Sequence, residues 1–261
     1  MKILCIGDVV GSGGISALSK VIFSLKNTEK IDLTIINGEN SADGNGLTNY
    51  SARELFSLGA DVITGGNHTL KRKEIHDYLE VNDRLLRPHN LKGDLPGKGY
   101  SIIDMGYTSV LVINLIGNVY LNENENSFSY ADKILNIAKE NNIKIIIVDF
   151  HAEATSEKKA LFFYLKDRIS AFFGTHTHVQ TADEEIIGGC GYITDVGMVG
   201  AENSVLGVKP ELSIAKIKDK LPVKFENASA PYLVNAIIFD IDNNSGRCKK
   251  IKRIFLREIN D

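Results

Sequence analysis

The chain of 261 residues is 43% hydrophobic and 24% charged, which is the composition of an ordinary soluble globular protein. Its 30 Lys and Arg against 33 Asp and Glu give a formal net charge of -3, so a broad nucleic-acid-binding surface is not indicated. No apolar run approaches the roughly 18 to 20 residues of a membrane span, and the three cysteines lack the C-x-x-C spacing of a zinc module. We therefore predict a cytoplasmic protein without a membrane segment.

Short aliphatic runs alternate with amphipathic segments in the first quarter of the chain, which is the pattern of buried strands connected by helices. The predicted strands are Ile3–Gly7, Leu33–Asn37 and Asp61–Thr64. Between the first two, apolar side chains recur every three or four residues from Ile15 to Leu25, which predicts a helix with one apolar face. A second helix is predicted to begin at Thr48 or Asn49, because either side chain can cap its first turn.

The middle of the chain predicts a change to antiparallel pairing. Tyr100–Met105 and Ser109–Leu115 are rich in β-forming residues and flank Gly106-Tyr107-Thr108, which is typical of a hairpin. Further elements are predicted in the following order: a loop at Asn122–Ser129, a helix at Tyr130–Glu140, a strand at Ile143–Asp149, a helix at Thr155–Lys166, and strands at Ile169–Gly174, Glu185–Ile187 and Gly191–Thr194.

A second hairpin is predicted near the end of the sequence. Leu233–Asp240 and Lys250–Leu256 are joined through Asn243-Asn244-Ser245-Gly246, which is a strong turn signal. No repeat, low-complexity tract or linker interrupts the pattern. We therefore predict one α/β domain over residues 1–261, with two packed mixed sheets and outer helices.

Polar side chains that can bind metals follow five predicted strands at the point where each strand ends. Ligands of α/β sheets collect at the carboxyl ends of strands, and four of the six histidines lie in these segments. The segments are Gly7-Asp8, Asn37-Gly38-Glu39-Asn40, Gly65-Gly66-Asn67-His68, Asp149-Phe150-His151 and Gly174-Thr175-His176-Thr177-His178. His176 and His178 form the most specific pair, because residues two apart in an extended segment point the same way.

Each of these residues also has a plain structural interpretation when it is taken alone. Asp8 is compatible with a turn, Glu39-Asn40 with a solvated loop, and His151 with a hydrogen-bonded structural histidine. The glycines after the first strand fit neither G-x-G-x-x-G nor the P-loop motif, which argues against nucleotide binding of those kinds. His89 is either a substrate contact or an ordinary loop residue. The basic run Lys71–Lys73 is either a substrate contact or a solvated helix start.

The candidate ligands at these strand ends offer two carboxylates, two side-chain amides and four imidazoles, and no thiolate: Asp8, Glu39, Asn40, Asn67, His68, His151, His176 and His178. This mixture suits divalent Mn, Fe, Co or Zn rather than a closed structural zinc site. The set is too large for one ion, so we predict a pair. Two divalent ions would attract a phosphate and lower the pKa of bound water toward neutrality, which indicates phosphate ester hydrolysis.

The order of these motifs across nearly the whole chain resembles that of the calcineurin-like metallophosphoesterases. Within that superfamily it is most similar to the YmdB-type bacterial phosphodiesterases. The motifs that carry the resemblance are Gly7-Asp8, Gly38-Glu39-Asn40, Gly66-Asn67-His68-Thr69, His151 and Gly174-Thr175-His176-Thr177-His178. The resemblance implies a four-layer α/β/β/α sandwich of two mixed sheets flanked by helices, with a dinuclear metal centre at one edge of the sheets.

The resemblance also implies a role for each residue. One ion would be held by Asp8, Glu39, Asn40 and His178, and the other by Glu39, Asn67, His151 and His176, so Glu39 would bridge the two. His68 would be unligated and would protonate the leaving oxygen, while a hydroxide that bridges the ions attacks the phosphorus. Iron and manganese are the expected ions, with zinc and cobalt as alternatives.

The sequence departs from the broad superfamily pattern at three positions. Two of the departures agree with the YmdB-type branch, and the third leaves a question. The first motif has no histidine after Asp8, so Asn40 replaces that ligand, and Glu39 stands where a bridging Asp is usual. Thr69 stands where an acidic residue usually follows the G-N-H motif, which leaves the group that orients His68 unidentified.

The substrate class implied by the resemblance is a small phosphodiester, especially a 2',3'-cyclic nucleotide. Two alternatives remain at this point. The first is a phosphomonoesterase, such as a nucleotidase or protein phosphatase, and the second is a regulatory protein that binds cyclic nucleotide or RNA with little turnover. The net charge does not support RNA. The resemblance further suggests a homo-oligomer, although no heptad stripe in the sequence supports one.

Overall fold

A computed structural model describes residues 1–121 and 124–260. Its strands are β1 (Lys2–Ile6), β2 (Asp8–Val9), β3 (Leu33–Asn37), β4 (Val62–Thr64), β5 (Tyr100–Asp104), β6 (Ser109–Ile116), β7 (Ile145–His151), β8 (Ala171–Thr175), β9 (Glu185–Ile187), β10 (Cys190–Ile193), β11 (Met198–Ala201), β12 (Tyr232–Ile241) and β13 (Cys248–Ile259). Its helices are α1 (Gly11–Glu29), α2 (Asn49–Ser57), α3 (His76–Val81), α4 (Ser127–Glu140), α5 (Thr155–Leu165) and α6 (Pro210–Lys218). A short 3-10 turn at Lys73–Ile75 precedes α3.

Both sheets are mixed. Within the described residues, the first has seven strands in the order β2-β11-β12-β1-β3-β4, with β13 paired to β12. Strands β1, β3 and β4 are parallel to one another, whereas β12 is antiparallel to β1. The second sheet, over the same ranges, has six strands in the order β5-β6-β7-β8-β10-β9. There β6, β7, β8 and β10 are parallel, and the edge strands β5 and β9 are antiparallel to their neighbours.

The two sheets pack face to face, and helices cover their outer faces. On β1, Ile3 and Cys5 join the cluster between the sheets, whereas Leu4 and Ile6 join the cluster beneath α1 and α2. This alternation follows from the two-residue period of a strand, and both faces are apolar because both are covered. A third cluster packs α4 and α5 against the second sheet. The predicted α/β/β/α sandwich is confirmed.

Some predicted boundaries were wrong for local reasons. Helix α4 begins at Ser127 rather than Tyr130, because the Asn126 side chain accepts hydrogen bonds from Phe128 N and Ser129 N and caps the helix earlier. The predicted loop before it includes residues 122–123, which lie outside the described ranges. Strand β7 continues past Asp149 to His151 because β6 and β8 pair with it along that length.

Strands β2 and β11 and helix α6 were not predicted. Strand β2 has only two residues, β11 is only four residues long and contains a glycine, and α6 leaves Ser213 as its one buried residue, so none of them has a strong periodic signal. No helix among residues 1–121 and 124–260 is long and apolar enough to cross a membrane.

Candidate metal centre

The carboxyl ends of parallel strands from both sheets meet at one edge of the sandwich. Strands β1, β3 and β4 of the first sheet end there, and so do β7 and β8 of the second. A buried network joins the sheets beneath this edge, because Asn37 Nδ2 and Thr64 Oγ1 donate to Asp149 Oδ2 at 3.1 and 2.5 Å. The strand ends singled out in the sequence therefore lie side by side.

One set of atoms that could bind a metal surrounds the imidazole of His151, which is fully buried. His151 Nε2 lies 3.0 Å from Asn67 Oδ1, 3.0 Å from His176 Nδ1 and 3.4 Å from Glu39 Oε1. Donor atoms of Glu39, His151 and His176 all lie within 4.8 Å of one another. We call Glu39, Asn67, His151 and His176 the His151 group.

A second set shares Glu39 and extends to His178. Asn40 Nδ2 lies 2.7 Å from Glu39 Oε1 and 3.2 Å from His178 Nε2, and Asp8 Oδ1 lies 3.8 Å from that same His178 nitrogen. We call Asp8, Glu39, Asn40 and His178 the His178 group. Asp8 Oδ1 is also 3.8 Å from His151 Nδ1, so the two groups are contiguous. The seven predicted ligands are thus brought together in space.

A partner on the far nitrogen of each histidine sets which nitrogen faces the site. His151 Nδ1 is 3.0 Å from Thr175 Oγ1, whose hydroxyl donates to Asp149 Oδ1 at 2.8 Å and so accepts from the imidazole. His176 Nε2 is 3.1 Å from Glu153 Oε2, and His178 Nδ1 is 3.0 Å from the carbonyl oxygen of Leu206. Each inward nitrogen then keeps its lone pair, which is the arrangement that a histidine needs to bind a metal.

The site contains many hydrogen-bond acceptors and few hydrogen-bond donors. Asp8 Oδ1 and Asn40 Oδ1 are buried without a hydrogen-bond partner among the described residues. The lone pairs on His151 Nε2 and His176 Nδ1 face each other at 3.0 Å. A buried acceptor that lacks a donor is costly. Bound cations would satisfy these atoms, so the residues fit the divalent ions that the sequence predicts.

The protonation states of the buried groups also suit cation binding. Burial raises the pKa of Glu39, but His151 and hydrogen bonds from His68 outweigh it and lower that pKa to about 2. Burial lowers the pKa of His151 to about 3, so its imidazole is neutral at pH 7. Burial and the nearby carboxylates of Glu39 and Asp195 raise the pKa of Asp8 well above its usual value. Without an ion the carboxyl of Asp8 therefore tends to keep its proton, and a bound cation would favour its ionised form.

A glycine permits the close approach of these groups. A Cβ atom on Gly66 would lie 2.3 Å from both Glu39 Oε2 and His151 Nε2. Because carbon atoms do not approach so closely, any side chain at this position would displace two predicted ligands.

The Gly174–His178 segment adopts a different conformation from the predicted extended one. His176 and His178 have φ angles of 102° and 64°, in the left-handed region, so the predicted extended conformation was wrong, although both imidazoles do face the site. Such backbone strain costs about 1–3 kcal/mol per residue. Hydrogen bonds to two buried carboxylates offset part of this cost. Asp8 Oδ2 accepts from His176 N at 3.2 Å, and Asp195 Oδ2 accepts from Thr177 N at 3.0 Å.

A buried ion pair holds Asp195 in turn. Lys158 Nζ on α5 lies 2.7 Å from Asp195 Oδ2, and both side chains are fully buried. Sequence reasoning missed this pair, as it missed the roles of Thr175 and Glu153. Asp195 does follow strand β10, so its position at a strand end was an available signal. Lys158 gave none, because its burial depends on how α5 packs.

His68 lies at the rim of the site, with its side chain 32% exposed. Its backbone N donates to Glu39 Oε2 at 2.9 Å, and its Nδ1 lies 3.2 Å from Glu39 Oε1. Glu39 is therefore the carboxylate beside His68. Thr69 has another task, because its Oγ1 accepts from Gly66 N at 2.8 Å and donates to Gly66 O at 2.9 Å, which closes the turn.

The other candidates from the sequence make structural contacts. His89 packs edge-on against Tyr100 and Tyr130, with ring centroids 5.6 and 5.5 Å apart, and burial lowers its pKa. Arg72 hydrogen-bonds the carbonyl oxygens of Asp43 and Asn45, so the basic run secures the loop after Asn40.

Comparison with known proteins relates the chain to one family. Residues 4–254 match the model of the YmdB-like protein family. The chain is 43% identical to the 2',3'-cyclic-nucleotide 2'-phosphodiesterase of Bacillus subtilis, over 99% of this chain and 98% of that protein. It is 32% identical to a crystal structure described as a novel phosphatase from Mycoplasma pneumoniae, with a TM-score of 0.93 over 100% of this chain and 94% of that one. The 5'-nucleotidase precursor of Thermus thermophilus shares the fold at a TM-score of 0.59 and 13% identity, over 99% of this chain and 54% of that protein.

Proposed function

Because the chain belongs to the YmdB-like family, we propose that it is a metal-dependent phosphodiesterase that hydrolyses 2',3'-cyclic nucleotides. The observation that carries the proposal is the convergence of acceptors around Glu39, with two buried oxygens that lack a hydrogen-bond partner in the described part of the chain. The name of the Bacillus subtilis relative supports the substrate class.

Two divalent ions, iron or manganese, would occupy the two groups of donors. The His178 group would hold one ion and the His151 group the other, with Glu39 contributing to both. When bound, such ions stabilise negative charge on the phosphate and make water a nucleophile near neutral pH. Zinc and cobalt are compatible with the same nitrogen and oxygen donors.

The chain itself supplies a proton donor. Cleavage of the bond between phosphorus and the 2'-oxygen of the ribose leaves an oxygen that must be protonated, which is a normal task for imidazole. His68 is suited to it because its side chain is part-exposed at the rim and its Nδ1 lies 3.2 Å from Glu39 Oε1. A carboxylate at this distance orients the ring.

The substrate test compares a cyclic diester with a monoester. Protein loaded with Mn²⁺ or Fe²⁺ is incubated with 2',3'-cyclic AMP or with p-nitrophenyl phosphate, and kcat/KM is measured for each. We expect the cyclic diester to be the better substrate. Faster monoester hydrolysis would instead favour a phosphomonoesterase. Tight binding of 2',3'-cyclic AMP with no hydrolysis above a His68→Ala control would indicate a regulatory binding protein.

A further inference from the structure

We propose that the cavity beside the His178 group receives the nucleoside part of the substrate, and that Phe225 stacks on its base. This inference rests on the proposed function, because it assigns the portion of a cyclic nucleotide that does not react. The cavity has a volume of about 470 Å³, within the range of roughly 300–1,000 Å³ that small-molecule sites occupy. Its walls come from the start of α1, the loop after Asn40 and the segment from Lys224 to Tyr232.

The cavity adjoins the candidate metal centre through two segments that carry the His178 group and a third that contacts His178. Val10 lines the cavity two residues after Asp8. Gly11 N donates to Asn40 O at 2.9 Å, and the loop from Asn40 continues into the lining residue Asp43. Gly207 also lines the cavity and directly follows Leu206, whose carbonyl oxygen is 3.0 Å from His178 Nδ1. A ligand whose phosphate lies at the His178 group therefore has this cavity next to it.

The charge of the lining favours a neutral group over a second phosphate. Two acidic side chains, Asp43 and Glu226, and one basic side chain, Lys224, line the cavity. Asp43 is fixed in place, because its Oδ1 accepts from Ser12 N at 3.0 Å and from Asn227 Nδ2 at 3.3 Å. An ionised carboxylate only accepts hydrogen bonds, so Asp43 suits the amino group of a base or the 5'-hydroxyl of a ribose.

Phe225 provides the aromatic surface. It lines the cavity with its side chain 40% exposed, and Lys216 Nζ lies 4.4 Å from the centroid of its ring. The lysine lies over one face of the ring, so a base would stack on the opposite face. Every base has a π face, so this contact would hold purines and pyrimidines and favour the larger ring.

The test compares substrates with and without a base. Glycerol 1,2-cyclic phosphate has the same five-membered cyclic diester as 2',3'-cyclic AMP but lacks the nucleoside. We expect Phe225→Leu to lower the ratio of kcat/KM for cyclic AMP to kcat/KM for the glycerol ester by about 5- to 100-fold, as for the loss of base stacking. Phe163→Leu is the matched control, because Phe163 is 52% exposed on α5 and does not line this cavity.

A binding measurement separates the failure of this inference from that of the proposed function. Titration calorimetry with adenosine 3'-monophosphate requires no turnover, and Phe225→Leu should weaken binding by a similar factor. If the wild-type protein hydrolyses neither cyclic ester yet Phe225→Leu weakens this binding, the proposed function fails and the cavity assignment stands. If Phe225→Leu and Phe163→Leu leave both the ratio and the affinity unchanged, the cavity assignment is overturned.

Discussion

Neighbouring residues hold the His151 group more firmly than the His178 group. In the His151 group, the closest donor atoms lie 3.0–3.4 Å from His151 Nε2, and the imidazole is anchored on a central strand by Thr175. In the His178 group, Asp8 Oδ1 lies 3.8 Å from His178 Nε2, and His178 is anchored by the carbonyl of Leu206, which lies in an irregular segment and is 47% exposed.

The comparison indicates how the site is stabilised. A ligand on a packed strand, such as His151, keeps its geometry without a metal, whereas a ligand held by an exposed segment, such as His178, loses more freedom when the ion binds. We therefore expect the His151 group to bind its ion more tightly than the His178 group. Titration with a chelator should remove the two ions in separate steps, with the ion of the His178 group leaving first.

The largest effect on activity is expected from replacing His151. His151→Ala removes the central ligand of the more rigid group, and loss of several kcal/mol of charge stabilisation corresponds to at least about a 10³-fold fall in kcat/KM. His178→Ala should lower metal content to one ion and reduce kcat/KM less. Equal losses of activity and metal in the two variants would break the proposed difference between the groups.

His68→Ala separates proton transfer from metal binding. We expect kcat to fall by about 10²- to 10⁴-fold while elemental analysis shows the same metal content as the wild-type protein. The loss should be smaller for a substrate with a p-nitrophenolate leaving group, because that group needs no proton. An equal loss for both kinds of leaving group would show that His68 is not the proton donor.

Lys158→Met should affect both groups, because Asp195 holds the Thr177 amide between His176 and His178. Removing one partner of a buried ion pair costs about 3–5 kcal/mol of unfolding free energy. Urea denaturation of metal-free protein measures it. The control Lys159→Met alters a neighbouring side chain that is 41% exposed, and it should cost less than about 1 kcal/mol. Similar stability of both variants would contradict the role assigned to this pair.

Glu153→Gln should have a smaller and more selective effect. Glu153 Oε2 lies 3.1 Å from His176 Nε2 and favours the tautomer that turns Nδ1 toward the site. Loss of such a partner typically weakens metal affinity by about 10- to 100-fold, and only the ion of the His151 group should respond. Competition with a fluorescent chelator measures the two affinities, with Glu140→Gln as an exposed control. A change in affinity only for the ion of the His178 group would contradict the role assigned to Glu153.

The sequence predicted the parts of the site that depend on chain connectivity. Parallel strands place their carboxyl ends at one edge, so Asp8, Glu39 and His151 could be brought together by reading strand ends alone. The two mixed sheets with outer helices followed from the pattern of strands and helices, whereas the four-layer arrangement was implied by the family resemblance. The left-handed conformation at His176 was not predictable, because carboxylates distant in sequence stabilise it. The burial of Lys158 likewise depends on tertiary packing that no local pattern encodes.

The central claim is that Glu39 serves two metal ions at once. Elemental analysis of the protein after loading with Mn²⁺ and removal of free metal tests it most directly, with Glu39→Gln measured beside the wild type. We predict two ions per wild-type chain and the loss of both in the variant, with the circular dichroism spectrum unchanged. A Glu39→Gln protein that keeps both ions, or a wild-type protein that binds none, would contradict the claim.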